Sequence, residues 1–120
     1  MQINNPLYKN IGIHVICSIF TVDKGVVKVL LIKRKNEPYK DKWALIGGGL
    51  YNNETIEEGM NREIYEKTGL KDVKIYFSNI ESTVNRSPLK RMVAINFIGV
   101  IDIKRSILKG TEKTSNCDWF

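Results

Sequence analysis

The hydrophobic residues in the first third of the chain follow the pattern of β-strands. From Ile11 to Thr21 both alternating faces are apolar, which is typical of a strand that is covered on both sides. The turn-forming sequence Asp23-Lys24-Gly25 comes next, followed by a run of β-branched residues from Val26 to Lys33. This pattern predicts a central strand and a second strand that is joined to it in a hairpin.

Three later apolar runs predict further strands. A short run from Trp43 to Ile46 precedes the glycine triplet Gly47-Gly48-Gly49, which we expect to form a loop. The other two runs are Val73 to Ser78 and Met92 to Ile103, and the second is again apolar on both faces. A sheet that is buried on both faces needs helices on both sides, so we expect a layered α/β fold. Without repeats or a linker, residues 1–120 are interpreted as a single domain.

The clearest helix is expected from about Ile56 to Lys67. Thr55 and Glu58 have the spacing of a capping box, in which both side chains bind backbone amides at the start of a helix. Gly69 is expected to end the helix in the left-handed conformation. Gly59 lowers the helix propensity, so we expect a close neighbour at this position. Three apolar residues should form the buried stripe: Ile56, Met60 and Ile64.

Composition excludes several classes of protein. The chain is 42% hydrophobic and 27% charged, which is typical of a soluble globular protein. It has no apolar window long enough to span a membrane and no secretory pattern at its start, so we expect a cytoplasmic protein. Cys17 and Cys117 are expected to be free thiols. The net charge of +6 favours anionic partners, but the cations are scattered, and nucleic acid is expected to bind only through a domain that this chain lacks.

The expected helix also carries a charged group. Glu63, Glu66 and Lys67 are spaced at i, i+3 and i+4, so they project from one side of the helix. Carboxylates on one helical face, opposite a glycine-rich segment with inward carbonyls, would suit Mg²⁺ or Mn²⁺. The alternative is a solvated face in which salt bridges form within the helix. The charged group by itself leaves both interpretations open.

The spacing around this group resembles the Nudix box. Gly48 is followed after five residues by Glu54 and, after seven more, by the segment from Arg62 to Leu70. Eight of the nine specified positions match: Gly48, Glu54, Arg62, Glu63, Ile64, Glu66, Gly69 and Leu70. The segments from Val29 to Arg34 and from Lys42 to Leu45 are similar to the ADP-ribose pyrophosphatase-like branch of the Nudix hydrolase superfamily.

The resemblance implies a Nudix-type α/β/α sandwich with a mixed, mostly antiparallel central sheet and one signature loop and helix. It also implies cleavage of the pyrophosphate in a nucleoside diphosphate derivative such as ADP-ribose, with water as the nucleophile and Mg²⁺ or Mn²⁺ as the cofactor. Metals and arginines would neutralise the charge that develops on the diphosphate.

The resemblance assigns roles to individual residues. The implied catalytic residues are Arg62, Glu63 and Glu66. The implied metal ligands are Gly47, Glu63, Glu66 and a late carboxylate, for which Glu112 is the first candidate and Asp118 and Glu81 are alternatives. The implied substrate-binding residues are Arg34, Gly48, Arg86 and Arg91. Glu54 is expected to pair with Arg62. We interpret His14 as a packed residue of a strand and Trp43 as a core or rim aromatic rather than a base-stacking one.

Lys67 departs from the box, because the family has a second adjacent glutamate at this position. The change removes an anionic metal ligand and adds a cation, which opposes metal binding. Lys67 is also well spaced for an ion pair with Glu63, which would supply part of the missing metal charge. Two functions therefore remain: metal-dependent hydrolysis, or ligand sensing without hydrolysis in a transcriptional regulator.

The last residues, Asn116 to Phe120, resemble the family segment that leads into a final helix, and no such helix follows. We expect either the N-terminal part of a longer protein or a short protein with a partly bare sheet. An exposed apolar patch at that face would favour a homodimer.

Overall fold

The described part of the chain folds as a mixed β-sheet with one α-helix packed against it. A computed structural model describes residues 4–8, 11–88, 90–105 and 114–120. Short 3-10 turns lie at Pro6–Tyr8 and Ile103–Arg105. The strands and the helix, in chain order, are β1 (Gly12–Asp23), β2 (Val26–Arg34), β3 (Trp43–Ala44), β4 (Ile46–Gly49), α1 (Ile56–Thr68), β5 (Ile75–Glu81), β6 (Met92–Val100) and β7 (Thr114–Trp119).

The centre of the sheet is β1, as the sequence predicts. It pairs in parallel with β6, from Gly12 opposite Met92 to Phe20 opposite Val100. On its other side, the first half of β1 pairs with β4 and the second half with β2, both antiparallel. The end of β2 pairs with β3 and β7, and β5 forms the far edge beside β6. The described strands therefore form a mixed sheet, with one parallel pair among antiparallel ones.

The helix α1 forms as its sequence predicts. The Thr55 hydroxyl accepts a hydrogen bond from the amide of Glu58, and the Glu58 carboxylate accepts one from the amide of Thr55. Gly69 adopts φ 77° at the C-terminal cap. Met60 and Ile64 are fully buried, and Ile56 packs against them at the margin of the core. The capping and apolar spacing therefore orient this helix with one face on the sheet.

The core lies between α1 and the central strands. Val15, Cys17 and Ile19 alternate along β1 and are completely buried with Met60 and Ile64. Both cysteines are buried free thiols, as predicted. The described residues contain one α-helix, and it lies against one face of the sheet. The sequence pattern predicted helices on both sides, and a second helical layer is not among the described residues. In this part of the chain no helix has the length and apolar character needed to cross a membrane.

Two local predictions differ from the structure. The glycine triplet is not a loop but belongs to β4, because its backbone pairs with β1 from His14 opposite Gly49 to Cys17 opposite Ile46. Pairing with a neighbouring strand overrides the low strand propensity of glycine. The segment at the end of the chain forms β7, which the sequence pattern did not predict. The other strands shift by a few residues, and β5 begins at Ile75 rather than Val73.

Candidate functional site

A cleft of about 660 Å³ opens beside β4 and the buried face of α1. Its floor is formed by the glycine strand, and its walls come from β1, the end of β2 and the loop before β6. The polar side chains that line it are His14, Arg34, Tyr51, Glu63, Lys67 and Arg86. The predicted glycine and carboxylate positions are therefore brought together with three cations around one opening.

Arg62, in the middle of α1, connects the helix to the end of β4 and to the segment that follows it. Its Nε and Nη2 donate to both oxygens of Glu54 at 2.9 and 2.7 Å, and Nη2 also donates to the carbonyl of Gly49 at 2.9 Å. The ring of Tyr51 covers the guanidinium at 3.8 Å. These hydrogen bonds raise the pKa of Arg62 and lower the pKa of Glu54 from their ordinary values. The predicted ion pair between Glu54 and Arg62 is confirmed.

The same guanidinium orients two further carboxylates of α1. Nη1 of Arg62 donates to Glu63 Oε1 at 2.6 Å and to Glu66 Oε2 at 3.2 Å. Glu63 is buried in the cleft, with a side chain that is 5% exposed. The side chain of Glu66 is 31% exposed and is not among those that line the cleft. Of the two predicted catalytic carboxylates, Glu63 is therefore the one that faces the cavity.

Lys67 completes the inner wall of the cleft. Its Nζ donates to the carbonyl of Gly47 and lies 3.1 Å from Glu63 Oε2. Within the described residues, Glu63 Oε2 is buried without a hydrogen bond of good geometry, so its contact with the ammonium is electrostatic. The predicted pairing of Lys67 with Glu63 is confirmed.

A side chain at position 48 would collide with the Glu63 carboxylate, which lies directly against β4. A Cβ atom at Gly48 would lie 2.4 Å from the carboxyl carbon of Glu63. The predicted close neighbour of Gly59 is also present, since a Cβ atom there would lie 2.4 Å from Leu50 Cδ1. These two positions let the helix seat Glu63 directly over the glycine strand.

The outer part of the cleft is basic. Nη1 of Arg86 lies 3.3 Å from Nδ1 of His14, and Nε of Arg34 donates to the carbonyl of Pro38 at 2.7 Å. Burial lowers the pKa of His14, and the charges of Arg86 and Lys67 lower it further. The same two arginines and His14 line an adjoining cavity of about 460 Å³. An anionic group in either cavity would meet guanidinium groups and a neutral imidazole.

Other predicted residues lie elsewhere. Arg91 donates to the carbonyl of Ser82 at 3.0 Å and does not line the cleft. Trp43 is 37% exposed and packs edge-to-face against Phe120, with ring centroids 4.8 Å apart, which agrees with a rim position. Glu112, the proposed late carboxylate, lies outside the described residues. Its alternatives, Glu81 and Asp118, do not line the cleft.

Two residues of the cleft were missed or misplaced by the sequence interpretation. His14 belongs to a strand, as expected, but its side chain faces the cleft instead of being packed inside the domain. The sequence contains a signal for this orientation. Side chains alternate between the two faces of a strand, so His14 points to the face opposite the buried Val15 and Cys17. Tyr51 lies two residues after the end of the glycine strand at Gly49 and could have been noted as an aromatic residue inside the box.

The contacts of Lys67 and Arg62 involve three of the predicted metal ligands. Two of the four predicted ligands, the Gly47 carbonyl and the Glu63 carboxylate, are both taken by the Lys67 ammonium. Glu66 is directed toward Arg62. Across the described ranges, no three His, Cys, Asp or Glu residues are grouped so that they could hold a metal ion. In this arrangement the described residues do not fit a tightly held divalent cation.

Fold and site together define a small mixed-sheet α/β domain with a charged cleft beside its single described helix. The family model of the NUDIX domain matches residues 12–120, and the chain belongs to this family.

Relatives of known description support the same assignment. The chain is 38% identical over 93 residues to an ADP-ribose pyrophosphatase of Methanocaldococcus jannaschii, covering 78% of this chain and 54% of that protein. It is 34% identical over 91 residues to the ADPR responsive transcriptional repressor NtrR of Acinetobacter baylyi, covering 72% of this chain and 36% of that protein. The chain thus spans between about a third and about a half of these relatives.

A solved structure confirms the fold. The NUDIX domain of Shewanella oneidensis NrtR, crystallised with ADP ribose, superposes with a TM-score of 0.84 at 21% identity. The match covers 99% of this chain and 78% of the other. The predicted family and fold class are therefore confirmed.

Proposed function

We propose that this domain binds a nucleoside diphosphate derivative such as ADP-ribose in the cleft beside β4 and hydrolyses its pyrophosphate. The observation that carries the proposal is the convergence of Glu63, Lys67, Arg34 and Arg86 on one opening. A pyrophosphate brings negative charge that these cations can neutralise, and Glu63 provides a fixed carboxylate beside it. The Methanocaldococcus relative, described as an ADP-ribose pyrophosphatase, supports this choice of substrate.

In this proposal, the cations of the cleft would stabilise the phosphate charge, and Glu63 would activate the attacking water. Lys67, Arg34 and Arg86 would stabilise the phosphate oxygens as the leaving group separates. Glu63, held on one side by Arg62, would orient the attacking water and accept its proton. Cleavage of ADP-ribose with one water gives AMP and ribose 5-phosphate. Because the described residues do not fit a divalent cation, no step is assigned to Mg²⁺ or Mn²⁺.

A second candidate is a ligand-sensing domain that does not hydrolyse what it binds. The position of Lys67 favours it, because the ammonium takes the two oxygens that a catalytic metal would need. The Acinetobacter relative is described as an ADPR responsive transcriptional repressor. In this alternative, binding in the cleft would be passed to a further domain, and contact with nucleic acid would be made by that domain.

The experiment is a comparison of binding and turnover. ADP-ribose and a nucleotide panel are titrated calorimetrically, and release of AMP is followed with Mg²⁺, with Mn²⁺ and with a chelator. The variants are Glu63→Gln in the cleft, Lys67→Glu, and Glu57→Gln as an exposed control on the same helix. If the domain is a hydrolase, the parent should release AMP, Glu63→Gln should lose this activity, and Glu57→Gln should retain it.

The other outcomes are equally specific. Binding without turnover in the parent, combined with a gain of orders of magnitude in Lys67→Glu, would replace hydrolysis by the sensing function. A parent that neither binds nor cleaves any pyrophosphate compound would refute both candidates. The cytoplasmic location and the homodimer are part of this proposal and are checked by fractionation and by sedimentation of the native protein.

A further inference from the structure

Lys67 lies where it can act on a ligand as well as on the fold. It is four residues after Glu63 on α1, and its side chain is 11% exposed at the inner end of the cleft. Its ammonium joins the backbone of β4 to the buried carboxylate of the helix, through Gly47 and Glu63. The cation is therefore held in place from two sides, at the position where the strand and the helix meet.

We infer that Lys67 is a built-in cation that takes the place of a divalent metal in ligand binding, so that the cleft holds a pyrophosphate without Mg²⁺ or Mn²⁺. This inference rests on the proposed function, because it concerns the ligand of the same site. It also explains why the described residues do not fit a metal ion: an ion on the oxygens of Gly47 and Glu63 would lie beside a positive charge that repels it.

The electrostatics of the cleft favour this role. The charge of Glu63 is compensated on one oxygen by Arg62, at 2.6 Å, and on the other by Lys67, at 3.1 Å. A lysine ammonium binds phosphate as a compact point charge, and two arginines, Arg34 and Arg86, line the same opening. A pyrophosphate would therefore find a cationic lining without any added ion.

A purely structural ion pair is the competing explanation. If this explanation is correct, replacing Lys67 lowers stability but does not change whether ligand binding requires a metal ion. The two explanations separate when the side chain is changed both to a neutral amide, Lys67→Gln, and to the reversed charge, Lys67→Glu. Lys74→Glu, an exposed residue beyond α1, gives the same charge reversal away from the cleft.

The first measurement uses the metal alone. Mn²⁺ is titrated into the parent, Lys67→Glu and Lys74→Glu, and bound ion is followed by electron paramagnetic resonance. We expect one Mn²⁺ site to appear in Lys67→Glu, and neither the parent nor Lys74→Glu to show it. Tight one-to-one binding by the parent would overturn the inference, as would the absence of a site in a folded Lys67→Glu protein.

The second measurement uses ADP-ribose in the presence of a chelator and then of excess Mg²⁺. The parent is expected to bind with nearly equal affinity in both, and Lys67→Gln to bind about tenfold or more weakly in the chelator, as expected for the loss of a charge-assisted contact. Thermal melting of each variant establishes that it is folded. Binding by the parent only with Mg²⁺, or unchanged binding by Lys67→Gln, would contradict the inference.

The two measurements keep the two proposals apart. If no pyrophosphate compound binds the parent under any condition, the proposed function is wrong and the ligand part of the inference is wrong with it. The Mn²⁺ titration would still decide whether Lys67 excludes a metal. If ADP-ribose binds the parent but only together with a metal, the proposed function stands and the inference alone is refuted.

Discussion

Replacing Lys67 by methionine tests the energetic importance of the pair at the centre of the cleft. Lys67→Met keeps most of the apolar stem and removes the ammonium that lies 3.1 Å from Glu63 Oε2. At this distance two unit charges attract by about 5 kcal/mol if the effective dielectric constant is near 20. Part of this energy is offset by desolvation, and measured costs of removing one partner from a buried pair are about 3 to 5 kcal/mol.

The expected loss is at the lower end of that range. Glu63 retains its contact with Arg62 at 2.6 Å, so its charge is not left entirely without compensation. We therefore expect Lys67→Met to lower the free energy of unfolding by about 3 kcal/mol. For a chain of this size the melting temperature should fall by about 12 °C, at roughly 4 °C for each kcal/mol.

The assay is chemical denaturation of the parent, Lys67→Met, Glu63→Gln and the double variant. A double-mutant cycle separates the interaction between the two side chains from the separate effects of each replacement. We expect a coupling energy of at least about 1 kcal/mol. Lys74→Met, an exposed replacement beyond the helix, should leave stability nearly unchanged. A loss below about 1 kcal/mol in Lys67→Met, or a coupling near zero, would refute the reasoning.

Three further predictions follow from single positions. Gly48→Ala should weaken ADP-ribose binding about tenfold and lower the free energy of unfolding by about 1 to 3 kcal/mol. The reason is that the new Cβ would lie 2.4 Å from the Glu63 carboxyl carbon. An affinity equal to that of the parent, measured by calorimetry, would contradict this prediction. Gly69→Ala should cost about 1 to 2 kcal/mol through its φ of 77° and leave binding intact, and a melting temperature equal to that of the parent would argue against it. The lowered pKa of His14 means that the unfolded chain binds this proton more readily, so stability should fall as the pH drops below about 6.5. When the free energy of unfolding is measured at several pH values, it should depend less steeply on pH in His14→Gln than in the parent. The same pH dependence in both proteins would exclude His14 as the cause.

The local part of the structure could be predicted from the sequence. The helix is specified within its own residues, by the capping box of Thr55 and Glu58, the apolar spacing of Met60 and Ile64, and the left-handed Gly69. The pairing of Lys67 with Glu63 follows in the same way, since residues four apart on a helix are neighbours. Short-range periodicity was therefore sufficient to predict that Lys67 would meet Glu63, whereas the contacts of Arg62 with Glu63 and Glu66 were not predicted.

Features that depend on distant contacts were not predicted. The glycine triplet becomes a strand because β1 offers it a partner, and β7 forms because the end of β2 does. The alternation along β1 separates His14 from Val15 and Cys17, but it does not show that a cleft lies open on the face that carries His14. These outcomes depend on pairings between residues that are more than twenty positions apart, which no local pattern encodes.

The retained residues of the Nudix box do not by themselves decide between hydrolysis and sensing. Arg62 holds Glu54, Glu63 and the Gly49 carbonyl together, and these contacts fix α1 against the preceding strand whatever chemistry the cleft performs. A domain that only bound its ligand would need the same contacts in order to place the helix. Lys67 differs, because its ammonium contacts the Gly47 carbonyl and the Glu63 carboxylate, which are two of the predicted metal ligands. The side chain at position 67 is therefore where the two functions make opposite predictions.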